Sequence, residues 1–179
     1  MSNDEFLAQF DRERKRLERA ILMMNAAQQV AYAYGRLKSL EVELTMEFML
    51  EVETLTSALV TAYGRLFTET TGVTKLTRAQ VPERLQPTHD ELMDLRHKRH
   101  AHHGDHETVG TAIDYDVQPD RVDVKFTINM TLCLGAPRHW EDLVDWVNAH
   151  VSDTVHAQLA HLTKVSGRTW AWPGPPDDV

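Results

Sequence analysis

The sequence predicts a mainly α fold: a helical bundle of about four main helices with an inserted antiparallel β-hairpin. Three observations carry this. Apolar residues recur at helical spacing toward both ends of the chain, and the period switches to two over a long stretch around residues 113–132. The 179 residues, 42% hydrophobic and 26% charged, suit one compact domain. That domain is expected over residues 1–169, with the hairpin at about 110–133 and a Pro-rich tail over 170–179.

Ser2 and Glu5 fit a capping box, and Phe6, Leu7, Phe10, Leu17, Ile21 and Met24 follow at helical spacing. The stripe runs on through Val30, Ala31 and Tyr34, which predicts one long helix to about Leu37. Leu40, Val42 and Leu44 alternate, so residues 39–44 read either as a short extended linker or as a helix start. From Thr45 a second helix carries Phe48, Val52, Leu55, Leu59 and Leu66 on one stripe, with Thr71-Gly72 expected to end it. The pentapeptide Ala-Tyr-Gly-Arg-Leu occurs at 33–37 and again at 62–66, but the residues upstream barely match, so it reads as chance rather than as a repeat.

Pro82 and Pro87 mark a turn-rich connection to Thr88-His89-Asp90-Glu91, a second capping box. The helix it opens carries Leu92 and Leu95 and is expected to stop at Gly104. Beyond it Ile113, Tyr115 and Val117 alternate with polar residues, Gln118-Pro119-Asp120 makes a turn, and Val122, Val124, Phe126, Ile128, Met130 and Leu132 alternate again. An isolated hairpin is barely stable in water, so its apolar face is expected to lie on helices. Pro137 sits near the start of a last helix with Trp140, Leu143, Val144, Val147, Val151, Val155, Leu159 and Leu162. The tail from Trp170 cannot continue that helix and is expected to be mobile or loosely docked.

Lys and Arg number 19 against 27 Asp and Glu, a formal charge of −8. This excludes a uniformly basic nucleic-acid coat, so any such binding needs a local reversal of sign. Cys133 is the only cysteine, which excludes an intrachain disulfide and a multi-cysteine zinc site. The charged start lacks a signal-peptide core and no run suits a membrane helix, so a cytoplasmic protein without membrane association is expected. The sequon at Asn129 then carries no glycosylation.

Six of the ten histidines (His89, His97, His100, His102, His103 and His106) fall between residues 89 and 106, where random placement would put about one. The centre of this segment adds Arg96, Lys98 and Arg99 without a carboxylate, a basic island in an acidic chain. Three readings compete. Imidazoles at His97, His100 and His103, spaced i, i+3, would suit a metal, but the adjacent cations would repel one and neither HExxH nor cysteine is present. A basic helix end complements the macrodipole, worth ~0.3–1 kcal/mol per charge, although lysines would serve equally. The third reading is acid–base chemistry on a phosphodiester. An imidazole titrating near neutrality can take a proton from a ribose 2′-OH while a guanidinium holds the phosphate, so no cofactor is needed. DNA lacks that hydroxyl.

The stretch Leu95-Arg96-His97-Lys98-Arg99-His100-Ala101-His102 resembles the Arg-x(4–6)-His motif of the HEPN superfamily of all-helical domains. The upstream segment 57–67, a Pro-containing loop and Thr88-His89-Asp90-Glu91-Leu92 are similar to abortive-infection members of that group. The resemblance implies a helical bundle, commonly dimeric, with the motifs of two chains facing a shared cleft. Many such proteins are metal-independent ribonucleases of toxin–antitoxin or antiviral systems, and others are inactive interaction modules. By position, Arg96 would stabilise the phosphate and His102 would be the acid–base residue, with His97 at the polar position after the arginine. The hairpin would be an addition to the family's helical core.

At ~100° per residue, Arg96 and His102 lie about 120° apart on a regular helix, whereas Arg96 and His103 differ by only about 20°. Either the helix loosens, or a second chain supplies the partner, or His103 does the work. Lys98 and Arg99 are candidates for substrate phosphates. Arg65, near the end of the second helix, could reach the same cleft, although a solvated arginine is its simpler reading. RNA, a second copy of the chain, and an antitoxin or defence protein are the partners this reading expects. A non-catalytic dimerisation or partner-binding module is the rival.

Overall fold

Three long helices form the body of the molecule, and a shorter one leans on them. In the computed structural model, which describes residues 2–43, 45–68, 75–97, 109–130 and 136–172, the order is α1 (Asn3–Ala8), α2 (Asp11–Ser39), α3 (Met46–Phe67), α4 (Gln86–Leu95), β1 (Val109–Val117), β2 (Val122–Met130) and α5 (Glu141–Ser166). The fold is mainly α with one antiparallel hairpin, as expected. Arg36 reaches Glu51 while Arg65 reaches Gln29, so α2 and α3 run antiparallel. Lys38 pairs with Glu141 while Ala20 packs with Val155 and Leu159, so α2 and α5 do too. Val30, Leu37, Val52, Leu59, Tyr63, Leu66, Leu92, Leu143, Val147 and Val151 fill the space between them. Each such side chain contributes ~1.5–3 kcal/mol through burial.

The expected first helix is two. Ser2 and Glu5 form the capping box, but the backbone tightens after α1, where the N–H groups of Gln9 and Phe10 donate three residues back, to Phe6 and Leu7. No residue of α1 is buried. Phe6 and Phe10 pack edge-to-face on each other at 5.3 Å, and Arg168 lies over Phe6 at 4.0 Å. Without core contacts to hold a straight path, the apolar stripe satisfies itself locally. Residues 40–43 are not helical, which settles the ambiguous segment as a connection.

Thr45 caps α3, its Oγ1 accepting from the Phe48 N–H at 3.1 Å. The helix ends at Phe67 rather than at Thr71-Gly72, a pair that lies outside the described residues. Thr68 turns back, donating through both its N–H and its Oγ1 to the Gly64 carbonyl.

The second expected capping box is not one. Thr88 and His89 are buried inside α4, which begins at Gln86 directly after a 3-10 turn, Glu83–Leu85. Pro87 sits in the first helical turn, where its missing N–H costs nothing, so it opens the helix instead of preceding it. The expected stop at Gly104 lies outside the described residues.

The hairpin follows the expected register, with Val117 opposite Val122, Tyr115 opposite Val124 and Ile113 opposite Phe126. Between residues 113 and 124 its apolar face is not laid on the helices. Ile113 is 53% exposed, Tyr115 65%, Val117 74%, Val122 54% and Val124 59%. The two strands pair with each other, and among the described residues the core cluster contains no hairpin side chain.

A 3-10 turn, Arg138–Trp140, leads from Pro137 into α5, which Gly167 ends in the left-handed region at φ 68°. Trp170 is docked: its N–H donates to Thr163 Oγ1 and its indole N–H to Ser166 Oγ, both at 2.9 Å. Among the described residues no helix is long and apolar enough to cross a membrane.

Candidate functional site

The last turns of α3 meet α4 along a line formed by Tyr63, Gly64 and Phe67 on one side and His89 and Arg96 on the other. Tyr63 Oη and His89 Nδ1 are 2.6 Å apart in the buried interface, and Phe67 packs on the His89 ring at 4.5 Å. Burial pushes the Tyr63 hydroxyl well above the usual phenol range, with the Asp90 charge adding to the effect. Burial also holds the His89 imidazole below its ordinary value, against the opposing pull of Asp90. Both groups are therefore neutral near pH 7. Among the described residues Tyr63 has no other acceptor, so its O–H donates to Nδ1 and His89 carries its proton on Nε2. Arg78 reinforces the same end of α4, its Nε and Nη2 each 2.7 Å from one oxygen of Asp90. That fork holds the Asp90 carboxyl below its ordinary value.

Gly64 explains how the two helices come so close. A Cβ at this position would fall 2.1 Å from Arg96 Cδ, 2.5 Å from Nε and 3.2 Å from Cγ. The Arg96 stem lies directly across the α3 backbone in the gap a side chain would fill. The matching Gly35 of the first pentapeptide has nothing within 4 Å of such a Cβ, so the two copies do different jobs. Residues 96–97 continue α4 as a wider, π-type turn, a loosening of the kind often met at functional sites. In that turn Arg96 Nη1 donates to His97 Nδ1 at 3.3 Å.

Of the residues singled out from the sequence, Arg96 and His97 are therefore brought together, Arg96 half-buried and His97 exposed. Arg65, one residue along from Gly64, is exposed and turned toward α2, where Nη1 donates to Gln29 Oε1 at 3.5 Å. His102, His103, Lys98 and Arg99 lie outside the described residues, as do His100 and His106. His89 belongs to the helix interface and leaves the surface histidine group. Among the described residues no three metal-ligating side chains cluster.

Gly64, Tyr63 and Phe67 escaped the sequence reading as site residues. A signal was present: a glycine deep in a helix costs ~1 kcal/mol against alanine, which points to a close approach by some other group. What approaches Gly64 is not written locally, because Arg96 is 32 residues away. No protein-family model, curated protein or solved structure matches the chain.

Proposed function

We propose that the chain is a metal-independent, HEPN-like endoribonuclease of toxin–antitoxin or phage-defence type, in which Arg96 binds the scissile phosphate. The observation that supports it best is the seating of Arg96. Its stem is clamped over Gly64 and its guanidinium is held beside the imidazole of His97. A guanidinium fixed by packing presents its donor fork with less entropy to lose when it meets a phosphate. The acid–base histidine comes from the segment that follows, His102 first by motif and His103 next by helical phase. Lys98 and Arg99 add local positive charge in an acidic protein. The attacking group is the substrate's own 2′-OH, so the chain needs only to move protons and stabilise charge. A homodimer with facing motifs, an antitoxin or defence partner, and a cytoplasmic setting belong to the same reading.

Matched RNA and DNA pools incubated with the purified protein in EDTA test this. Cleavage of RNA alone, abolished in Arg96→Ala and His102→Ala, is expected. An intact RNA pool, or equal cleavage by wild type and both variants, rejects it.

The exposed hairpin favours a second reading, a non-catalytic module that dimerises. Five apolar side chains on one face of a two-stranded ribbon, each more than half exposed, would be covered if the same face of a second copy packed on it as a two-layer sandwich. Light scattering decides: a dimer that Tyr115→Lys converts to monomer supports it, and a monomeric wild type removes it.

A further inference from the structure

A second basic site lies elsewhere on the bundle. A pocket of about 280 Å³ opens between α2, the segment preceding α4 and α5, lined in part by Arg16, Lys75, Gln80, His150 and Gln158 over an apolar floor of Ala20, Met23 and Leu76. Among the described residues no carboxylate lines it, although the chain carries 27 acids against 19 basic residues. We infer that this pocket binds a small phosphomonoester.

Three features point that way. First, the basic side chains come from separate segments of the chain. Arg14 and Lys15 are tied to Glu18 and Asp11, whereas Arg16 makes no ion pair among the described residues. Second, Gln80 is set to donate. Gln80 Oε1 already accepts from the Thr77 N–H at 2.8 Å and from its hydroxyl at 3.1 Å, which leaves the Gln80 amide NH2 for an acceptor oxygen. Third, His150 is stacked on Trp146, ring centroids 5.0 Å apart and planes 22° from parallel, so its imidazole is held in orientation. A guanidinium, an imidazole and an amide NH2 around one concavity give a phosphate more donors than a single carboxylate can use. The buried apolar floor gives a small carbon skeleton something to lie on. The volume falls just below the ~300–1,000 Å³ of ordinary ligand pockets, which fits a ligand such as a pentose phosphate. The lining shares no residue with the Arg96 site.

Calorimetric titration with ribose 5-phosphate, inorganic phosphate and succinate tests the inference, with tryptophan fluorescence of wild type and Trp146→Phe compared in parallel. Ribose 5-phosphate should bind most tightly, phosphate more weakly and succinate least, and the fluorescence change on binding should be lost in Trp146→Phe. Arg16→Gln and His150→Gln should each weaken ribose 5-phosphate about tenfold, the loss of one charge-assisted hydrogen bond. Arg121→Gln, which removes the same charge from the hairpin turn, should leave affinity unchanged. Absence of binding at millimolar ligand, or succinate binding as tightly as the phosphate ester, would overturn it. Affinity lost in Arg96→Ala but kept in Arg16→Gln would do so too. Ribonuclease activity has no bearing on any of these outcomes.

Discussion

Replacing Gly64 by alanine separates the two things that residue does. In an undisturbed helix interior the change stabilises by ~1 kcal/mol, because alanine loses less backbone entropy and exposes less backbone to water. Here the new methyl would stand 2.1 Å from Arg96 Cδ and 2.5 Å from Nε, so the arginine must leave its cradle or the helices must part. Overpacking of this kind costs ~1–3 kcal/mol. The net effect in the wild-type background should therefore lie between neutral and about 2 kcal/mol destabilising. In an Arg96→Ala background the obstruction is gone, and the same substitution should recover its full ~1 kcal/mol gain. The double-mutant cycle then yields a coupling of ~1–3 kcal/mol, measurable by urea denaturation. For a chain of this size that is a difference of ~2–4 °C in Tm per kcal/mol. If Gly64→Ala stabilises equally in both backgrounds, Arg96 does not occupy the gap, and the positioning attributed to α3 is wrong.

Other consequences follow from the same interface and from the hairpin. Tyr63→Phe leaves His89 Nδ1 buried without its donor and should destabilise by ~1–3 kcal/mol in thermal denaturation. Because the folded state holds His89 below its ordinary value of 6.5, the unfolded chain takes up a proton first as pH falls. The His89 contribution is therefore complete above pH 6.5 and is lost as pH falls from there through the folded value. Denaturation midpoints of wild type and His89→Gln should converge on acidification across that window. Glu91→Ala removes the carboxylate that accepts from the buried Trp140 indole N–H at 3.1 Å and pairs with His139 at 2.7 Å, and should cost ~1–2 kcal/mol. By contrast, Tyr115→Thr with Val124→Thr should leave the unfolding free energy of the helical body unchanged within ~0.5 kcal/mol, because both side chains are exposed. A large loss there would mean the ribbon packs on the bundle after all.

What the sequence made legible was local. The Thr45 cap, the α3 stripe from Phe48 to Leu66 and the strand register set by Gln118-Pro119-Asp120 are short-range patterns, and the structure follows them. Two helix boundaries went astray because the pattern was satisfied by something other than the core. The stripe at Phe6 and Phe10 closes on itself, and Pro87 opens α4 where Thr88 looked like its cap. Coverage of the hairpin was inferred from the marginal stability of isolated ribbons, and nothing in an alternating pattern names the surface that should cover it. The site divides the same way. Arg96 and His97 stood out as members of a dense basic cluster, but the Tyr63–His89 pair and the Gly64 cradle are tertiary contacts between segments 26 and 32 residues apart. The repeated Ala-Tyr-Gly-Arg-Leu held the clue to Gly64, although only the second copy has a side chain lying across its glycine.

The chemistry of the RNA ends formed in EDTA is the most direct test of the proposed function. Attack by the substrate's own 2′-OH, with Arg96 on the phosphate, leaves 2′,3′-cyclic phosphate and 5′-hydroxyl termini. Gly64→Ala, which displaces the arginine without removing it, should slow their appearance while leaving the products unchanged. Products with 5′-phosphate and 3′-hydroxyl ends, or a rate indifferent to both Gly64→Ala and Arg96→Ala, would contradict it.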